Sequence, residues 1–232
     1  MTGAERAFHA QQVHANNLAN ADTTGFRADY EVAGTQVVPG YGYDSRHQST
    51  GATDVVSQRL GTVHTTGREL DVAVLGQGLI AVADGEGEAY TRAGAMLVDE
   101  EGNLSINGRA VLGDGGPVVL PPFRAVSVAT DGTLSILPEN GTEMQEVDRL
   151  KLVDGQQPLT KNTAGLLVAR DGNALPASET VRVRSGALET SNVRAVEEMV
   201  AVMDISRQFE IQMKLYQAAD GMADAGNRLV RG

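Results

Sequence analysis

The amino-acid sequence predicts a mainly β protein with helical termini: a central antiparallel β domain, sandwich-like or an irregular barrel, with N- and C-terminal helices forming a coiled-coil assembly domain. Three observations carry this reading. Residues 2 to 24 and 188 to 230 have helical patterning, although chain ends usually carry little pattern. The stretch between them is rich in Gly, Pro and short apolar runs. Turn dipeptides recur through it at the spacing of short strands.

The N-terminal helix, assigned to residues 1–26, opens on Thr2-Gly3-Ala4-Glu5, a capping-box pattern whose hydroxyl and carboxylate can satisfy free backbone N–H groups. Ala4, Ala7, Phe8, Ala15, Leu18 and Ala19 form a narrow, mostly small apolar face. Asn16, Asn17 and Asn20 are unusual in a helix, because their amides compete with the backbone for hydrogen bonds. A frayed helix end is the plain alternative; the sharper reading makes these amides polar register-setters that bond a partner segment. Thr23-Thr24-Gly25 then stops the helix, with Gly25 suited to a left-handed exit.

Residues 27–66 read as an extended connector with little core potential. Gly34, Pro39, Gly40, Gly42 and Gly51 interrupt it, Tyr30, Tyr41 and Tyr43 are its only large side chains, and Glu31 to Val38 can pair as a strand. The central β domain, residues 67–187, contains strand-length runs at Leu70–Leu75, Gly78–Ala83 and Gly87–Arg92. Turn signals follow at Asp84-Gly85, Glu101-Gly102, Asn107-Gly108, Asp114-Gly115, Asp131-Gly132, Asp154-Gly155 and Asp171-Gly172. Glu101–Ile106 and Asp131–Ile136 echo each other over too short a span for a repeat architecture, so they read as two similar hairpins.

The C-terminal helix, within 188–232, is expected to start near Ser191 or Asn192, either of which can cap it, with Glu197 and Glu198 near its positive end. Val202, Ile205, Phe209, Tyr216, Ala219, Ala223 and Val230 recur at alternating three- and four-residue steps, a coiled-coil seam interrupted by Gln212 and Gly226. Met199, Met203 and Met213 add a second apolar edge, which implies contacts on more than one side. The plain alternative is an amphipathic helix lying on its own β domain, but a rod of about 58 Å is hard for that domain to cover. Leu18, Val202, Ile205, Phe209, Met213 and Tyr216 are the predicted apolar assembly residues, and the helix is expected to pack with the N-terminal one.

Composition excludes several function classes. The balance of 19 basic and 30 acidic residues gives −11, against a nucleic-acid partner held by phosphate neutralisation. There is no cysteine, hence no disulfide, cysteine-based zinc site or thiol catalysis. No run is apolar enough for a membrane helix, and Glu5 and Arg6 occupy the place of a signal peptide's apolar segment, so no cleavable signal is expected. His9, His14, His47 and His64 lack metal-ligand spacing. Asp99-Glu100-Glu101-Gly102-Asn103 lacks the alternating ligands of a calcium loop and reads as a turn. Gly76-Gln77-Gly78 lacks the third glycine and following helix of a dinucleotide loop. Glu86 and Glu88 sit among turn residues with no apolar pocket for glycosidase chemistry. No enzyme activity, cofactor or small-molecule substrate is predicted.

Several segments carry a resemblance. Ala15-Asn16-Asn17-Leu18-Ala19-Asn20-Ala21-Asp22-Thr23-Thr24-Gly25-Phe26 resembles the N-terminal signature of bacterial flagellar rod and hook proteins. Leu188-Glu189-Thr190-Ser191-Asn192-Val193 followed by a long helix is similar to their C-terminal signature, and Gly76–Ile80 and Glu88–Gly94 resemble the family's β domain. Ser206–Gln212 is similar to the proximal-rod branch of the family. The resemblance implies a structural subunit of the basal-body rod, polymerising through its terminal helices around an export channel, with other rod proteins and its own copies as partners. It also implies passage through the flagellar type III export apparatus without a cleavable signal, and a location in the rod spanning the periplasm. Members usually begin several apolar residues earlier, which makes Met1 an internal methionine or a misassigned start in that reading. A distal-rod or hook subunit is the alternative within the family. From another class, the alternative is a secreted carbohydrate-binding or adhesive β module, which would need exposed aromatics; between Leu70 and Arg184 only Tyr90 and Phe123 are available.

Overall fold

A computed structural model describes residues 3–37, 47–85 and 87–231, without the side chains of 3–4, 33–37, 47–54, 223–224 and 228–231. The chain is mainly β with antiparallel sheets and two helices, and it divides into two units that interleave in sequence. One unit joins Met1–Ala19, Asp29–Asp54 and Arg194–Gly232; the other joins Asn20–Ala28 and Val55–Val193.

The first unit holds α1 (Gly3–Ala19), a two-stranded sheet of β1 (Asp29–Val37) and β2 (His47–Val56), and α2 (Ala195–Arg231). α1 packs on α2 and on β1. The predicted strand from Glu31 is part of β1, while Val38 and the connector's Pro39, Gly40, Tyr41, Gly42 and Tyr43 lie outside the described residues. Both helices are shorter than the sequence pattern suggests. α1 ends at Ala19 rather than Thr24, where Thr23 N–H bonds the Asn20 carbonyl and Thr23 Oγ1 bonds the Asn20 amide oxygen. This is the side-chain competition expected of Asn at a helix end. α2 begins at Ala195 rather than at Ser191 or Asn192. Ser191 Oγ accepts the Val193 N–H, and the Asn192 amide is used elsewhere, so neither caps the helix.

The second unit is built from short strands. Its largest sheet runs Leu152–Asp154, Gly78–Asp84, Gly87–Thr91, Leu167–Ala169 and Leu159–Lys161 in spatial order, each neighbour antiparallel. The strand Gly78–Asp84 is buried on both faces, which explains its unbroken apolar run. Ile80 and Val82 enter one core with Met96, Leu104, Leu134 and Leu150, while Leu79 and Ala81 enter a second with Tyr90, Val153 and Leu167. Period-two geometry thus lets one strand serve two cores.

Two three-stranded antiparallel sheets complete the larger core: Met96–Val98, Leu104–Ile106 and Arg109–Ala110, and Phe123–Val128, Thr133–Pro138 and Gln145–Arg149. Asn107 and Gly108 both have positive φ, 50° and 77°, as a two-residue hairpin turn of the primed type requires. The echoed fragments are matching strand starts: Leu104 and Ile106 in one, Leu134 and Ile136 in the other, all buried. Asp99 and Asp131 shape the preceding turns by accepting backbone N–H groups of Asn103 and Thr133. Val72–Leu75 pairs with Arg182–Ser185, and Val63–Thr65 pairs with Ala187–Glu189.

Candidate functional site

In the helical unit, the longer helix outreaches its partner. At 1.5 Å per residue the 17 residues of α1 span about 25 Å and the 37 of α2 about 55 Å. Among the described residues α2 has no buried apolar side chain; Glu198 is its one buried residue. Val202 and Ile205 are half-buried, whereas Phe209, Met213 and Tyr216 are exposed. The methionine edge is exposed too, with Met199 and Met203 joined by Val196 and Val200. Leu18 is half-buried on α1.

The three asparagines part company. Asn17 is fully buried: its amide N–H bonds the Asp29 carbonyl at 2.9 Å, and its amide oxygen accepts the Asp29 N–H at 2.9 Å. This two-way clasp holds β1 against the end of α1. Glu198 joins it, 3.5 Å from the Asn17 amide and 2.6 Å from His14 Nδ1. Asn17 is therefore committed within its own chain, a role the helical spacing alone does not disclose. Asn16 is exposed, and Asn20 holds the turn at Thr23.

In the β unit, the segment 20–28 is locked down by the strand and turn at 187–193. Gly25 N–H bonds the Glu189 carbonyl, Asn192 N–H bonds the Phe26 carbonyl, and Ala28 N–H bonds Asn192 Oδ1 at 2.7 Å. Gly25 has φ 69°, and a Cβ there would lie 2.2 Å from the Ala93 nitrogen. A side chain at this position would force the segment off the sheet. The two terminal signatures thus meet in one joint.

That joint closes over a buried charge cluster. Glu189 is 2% exposed; Oε1 accepts Gly61 N–H at 2.7 Å and faces Arg27 Nη2 at 3.1 Å, while Oε2 takes Arg92 Nε at 2.6 Å and Arg92 Nη2. Arg92 also donates to the carbonyls of Val74, Gly76 and Gly78, so all five of its N–H groups are used. Arg27 is less well served: it is 7% exposed, and its Nη1 has no hydrogen-bond partner among the described residues. Burial pushes the Arg27 guanidinium below its ordinary value; Glu189 opposes the shift and Arg92 reinforces it. Beside Arg27 and Arg92 lies a recess of about 230 Å³ with apolar walls from Val55, Leu79 and Leu159 and with the exposed Arg170 at its rim.

The residues considered for other chemistry have structural occupations. Tyr90 is buried, and its hydroxyl accepts the Leu175 N–H at 2.6 Å; Phe123 packs against the larger core. Neither forms an exposed sugar platform. Glu88 pairs with Lys151 at 2.6 Å, and Glu86 lies outside the described residues. No cluster among the described residues has the composition of a metal site, and no helix among them is long and apolar enough to cross a membrane.

A long helix with uncovered apolar sides, joined in sequence to a self-contained β unit, defines a class of structural assembly subunit. Comparison with known proteins agrees. The flagella basal body rod protein model matches residues 1–27, and the flagellar basal body rod FlgEFG protein C-terminal model matches residues 184–229. The chain is 36% identical to the flagellar basal-body rod protein FlgF of Escherichia coli strain K12 over 99% of its own length and 96% of the relative's. Identity to FlgF of Salmonella typhimurium strain LT2 is also 36%, with the same coverage, and to FlgG of Bacillus subtilis strain 168 it is 29% over 88% of this chain and 87% of the relative. This chain belongs to the flagellar basal-body rod protein family.

Proposed function

We propose that the chain is a structural subunit of the proximal rod of the bacterial flagellum, polymerising through α1 and α2 into the axial shaft of the motor. The observation that carries this is the exposure of Phe209, Met213 and Tyr216 on a helix about 30 Å longer than its in-chain partner. Apolar burial is worth about 25 cal/mol per Å², and a subunit with several neighbours gains it on several faces. A head-to-tail contact that does not close produces a helical filament, as a rod requires. The similarity to FlgF proteins supports the proximal position.

In this reading Leu18, Val202, Ile205, Phe209, Met213 and Tyr216 form a coiled-coil seam with neighbouring subunits, and Asn16 sets register at its solvent edge. The partners are other rod proteins and further copies of this chain. Subunits reach the periplasm-spanning rod through the flagellar type III export apparatus. A net charge of −11 keeps free subunits apart before they meet at the growing rod.

Phe209→Asp tests the reading. The β unit should unfold at the wild-type temperature, while incorporation into purified basal bodies and swimming are lost. Wild-type incorporation and swimming in that variant would remove the seam from the mechanism.

A further inference from the structure

We infer that the outer edge of the strand Val63–Thr65 is a docking surface for the same strand of a second copy of this chain. The surface belongs to the β unit, and the contact is separate from the helical contacts proposed for the rod.

The hydrogen-bond pattern opens this edge. Thr66 N–H bonds the Gly186 carbonyl and Thr190 N–H bonds the Thr62 carbonyl, so both threonines turn their backbone toward Ala187–Glu189. On that strand the Ala187 N–H and the Glu189 carbonyl point away, to the Asp71 carbonyl and the Gly25 N–H. Alternation along the ladder then gives His64 to the inner side and leaves the N–H and C=O of Val63 and Thr65 on the outer side. None of those outer groups has a partner among the described residues. Thr62, Val63, His64, Thr65 and Thr66 are all exposed, and they include neither the lysine nor the proline that blunts an open edge.

Register and charge select the occupant. Antiparallel pairing about a two-fold axis at His64 places Val63 opposite Thr65 of the second copy, and Thr65 opposite its Val63. The outward groups of each pair then answer one another, as in any hydrogen-bonded antiparallel pair. Thr62 falls opposite Thr66 of the second copy, a cross-strand pair whose hydroxyls can bond. Arg59 and Glu69 flank the strand at opposite ends, both exposed and neither side chain ion-paired among the described residues. Arg68, by contrast, is committed to Asp71 and the Met96 carbonyl. The two-fold therefore sets the free positive end of each strand beside the free negative end of the other. A contact this small falls in the transient class, below about 1,200 Å², and repulsion between two chains of charge −11 keeps it weak. It is isologous and closes at two, so it forms a dimer of free subunits and does not extend a rod.

Disulfide trapping of the purified full-length chain tests this. The sequence has no cysteine, so His64→Cys supplies one thiol per subunit. Across a non-hydrogen-bonded antiparallel pair the Cα atoms lie about 4.5 Å apart, within the roughly 4.4–6.8 Å that a disulfide spans. Mild oxidation with copper–phenanthroline should join two chains. Its rate should exceed that of Thr62→Cys or Thr66→Cys alone by about ten-fold or more, because pairing raises the effective concentration of facing thiols. An equimolar mixture of the Thr62→Cys and Thr66→Cys chains should recover the fast rate, since those positions face each other. Adding Val63→Pro to His64→Cys removes an outward donor that the inner ladder does not use. The melting temperature of the β unit should hold while cross-linking falls to the rate of the single threonine variants. Equal rates for all three thiols, a mixture no faster than its components, or no disulfide at all would overturn the proposal. Cross-linking unmoved by Val63→Pro would overturn it as well.

Discussion

Ile80 and Ile211 are the same side chain in opposite circumstances. Ile80, in the strand Gly78–Asp84 of the β unit, is 0% exposed; Ile211, on α2, is 52% exposed. The contrast extends to their surroundings. The β unit buries most of its Val, Leu and Ile in two cores, and its few aromatics are packed or structural. Among the described residues, α2 leaves ten large apolar side chains exposed. A helix draws most of its stability from packing an apolar face rather than from propensity. The β unit therefore carries its own folding free energy, while the second half of α2 depends on what covers it. The contrast is between a part that buries its apolar side chains and a part that leaves them exposed.

Removing the buried counter-charge should break the self-sufficiency of the β unit most severely. Glu189→Ala leaves Arg27 and Arg92 buried without their shared carboxylate, and breaking a buried pair from one side costs about 3–5 kcal/mol. It also releases Gly61 N–H. Urea unfolding of the β unit, followed by far-ultraviolet circular dichroism, should show the loss. Glu189→Gln keeps an acceptor and should cost less. Equal stability of Glu189→Ala and wild type would mean that the joint between the terminal signatures carries no energetic weight.

The corresponding change in the helical unit is Asn17→Ala. It removes a two-way clasp on the Asp29 backbone from a fully buried position, leaving a donor and an acceptor unanswered at about 1–3 kcal/mol. The helical signal at 222 nm should melt earlier while the β transition stays in place. A β transition shifted as far as the helical one would show that the two units do not unfold independently.

Much of this contrast is legible in the sequence. The strand runs and turn dipeptides announce the β unit because period-two patterning and Asn-Gly or Asp-Gly turns are local signals; Asn107-Gly108 is the clearest. The apolar periodicity of α2 is legible for the same reason. What stays hidden depends on residues far apart in the chain. Sequence reading divides the chain into consecutive segments, whereas packing joins 20–28 to the β unit and 29–54 to the helices. Asn17 looks like a surface register-setter because helical spacing says nothing of a strand folding back to meet it. Arg27, Arg92 and Glu189 carry no spacing signal, since 162 residues separate the first from the last. Glu189 lies within the C-terminal signature and Arg27 directly after the N-terminal one, and their pairing becomes legible only once the two signatures are known to touch.

A smaller effect separates charge from packing at a single turn of the β unit. Hydrogen bonds from the Thr133 backbone and hydroxyl, helped by Arg149, hold the Asp131 carboxyl below its ordinary value of 3.8. A depressed folded value means that the carboxylate stabilises the fold above the unfolded value, and that this contribution is lost as pH falls through the folded one. The melting temperature of Asp131→Ala should therefore lie below wild type by a constant interval from neutral pH to about pH 5, with the gap closing below about pH 4. A gap that persists unchanged to pH 2 would assign the turn's stability to something other than the ionised carboxylate.

The smallest effect on the free chain is expected where the comparison is sharpest. Met203 is 64% exposed on α2, so Met203→Gln removes almost no buried area from the single chain, and its unfolding free energy should stay within about 0.5 kcal/mol of wild type. The same substitution places an amide against whatever covers that edge in the rod, where it loses apolar burial and must find a partner. Incorporation into basal bodies should fall, and co-expression with wild type should show the variant outcompeted. If Met203→Gln assembles as well as wild type, the methionine edge is solvent-facing in the rod, and the joining surface of α2 narrows to the Phe209 side alone.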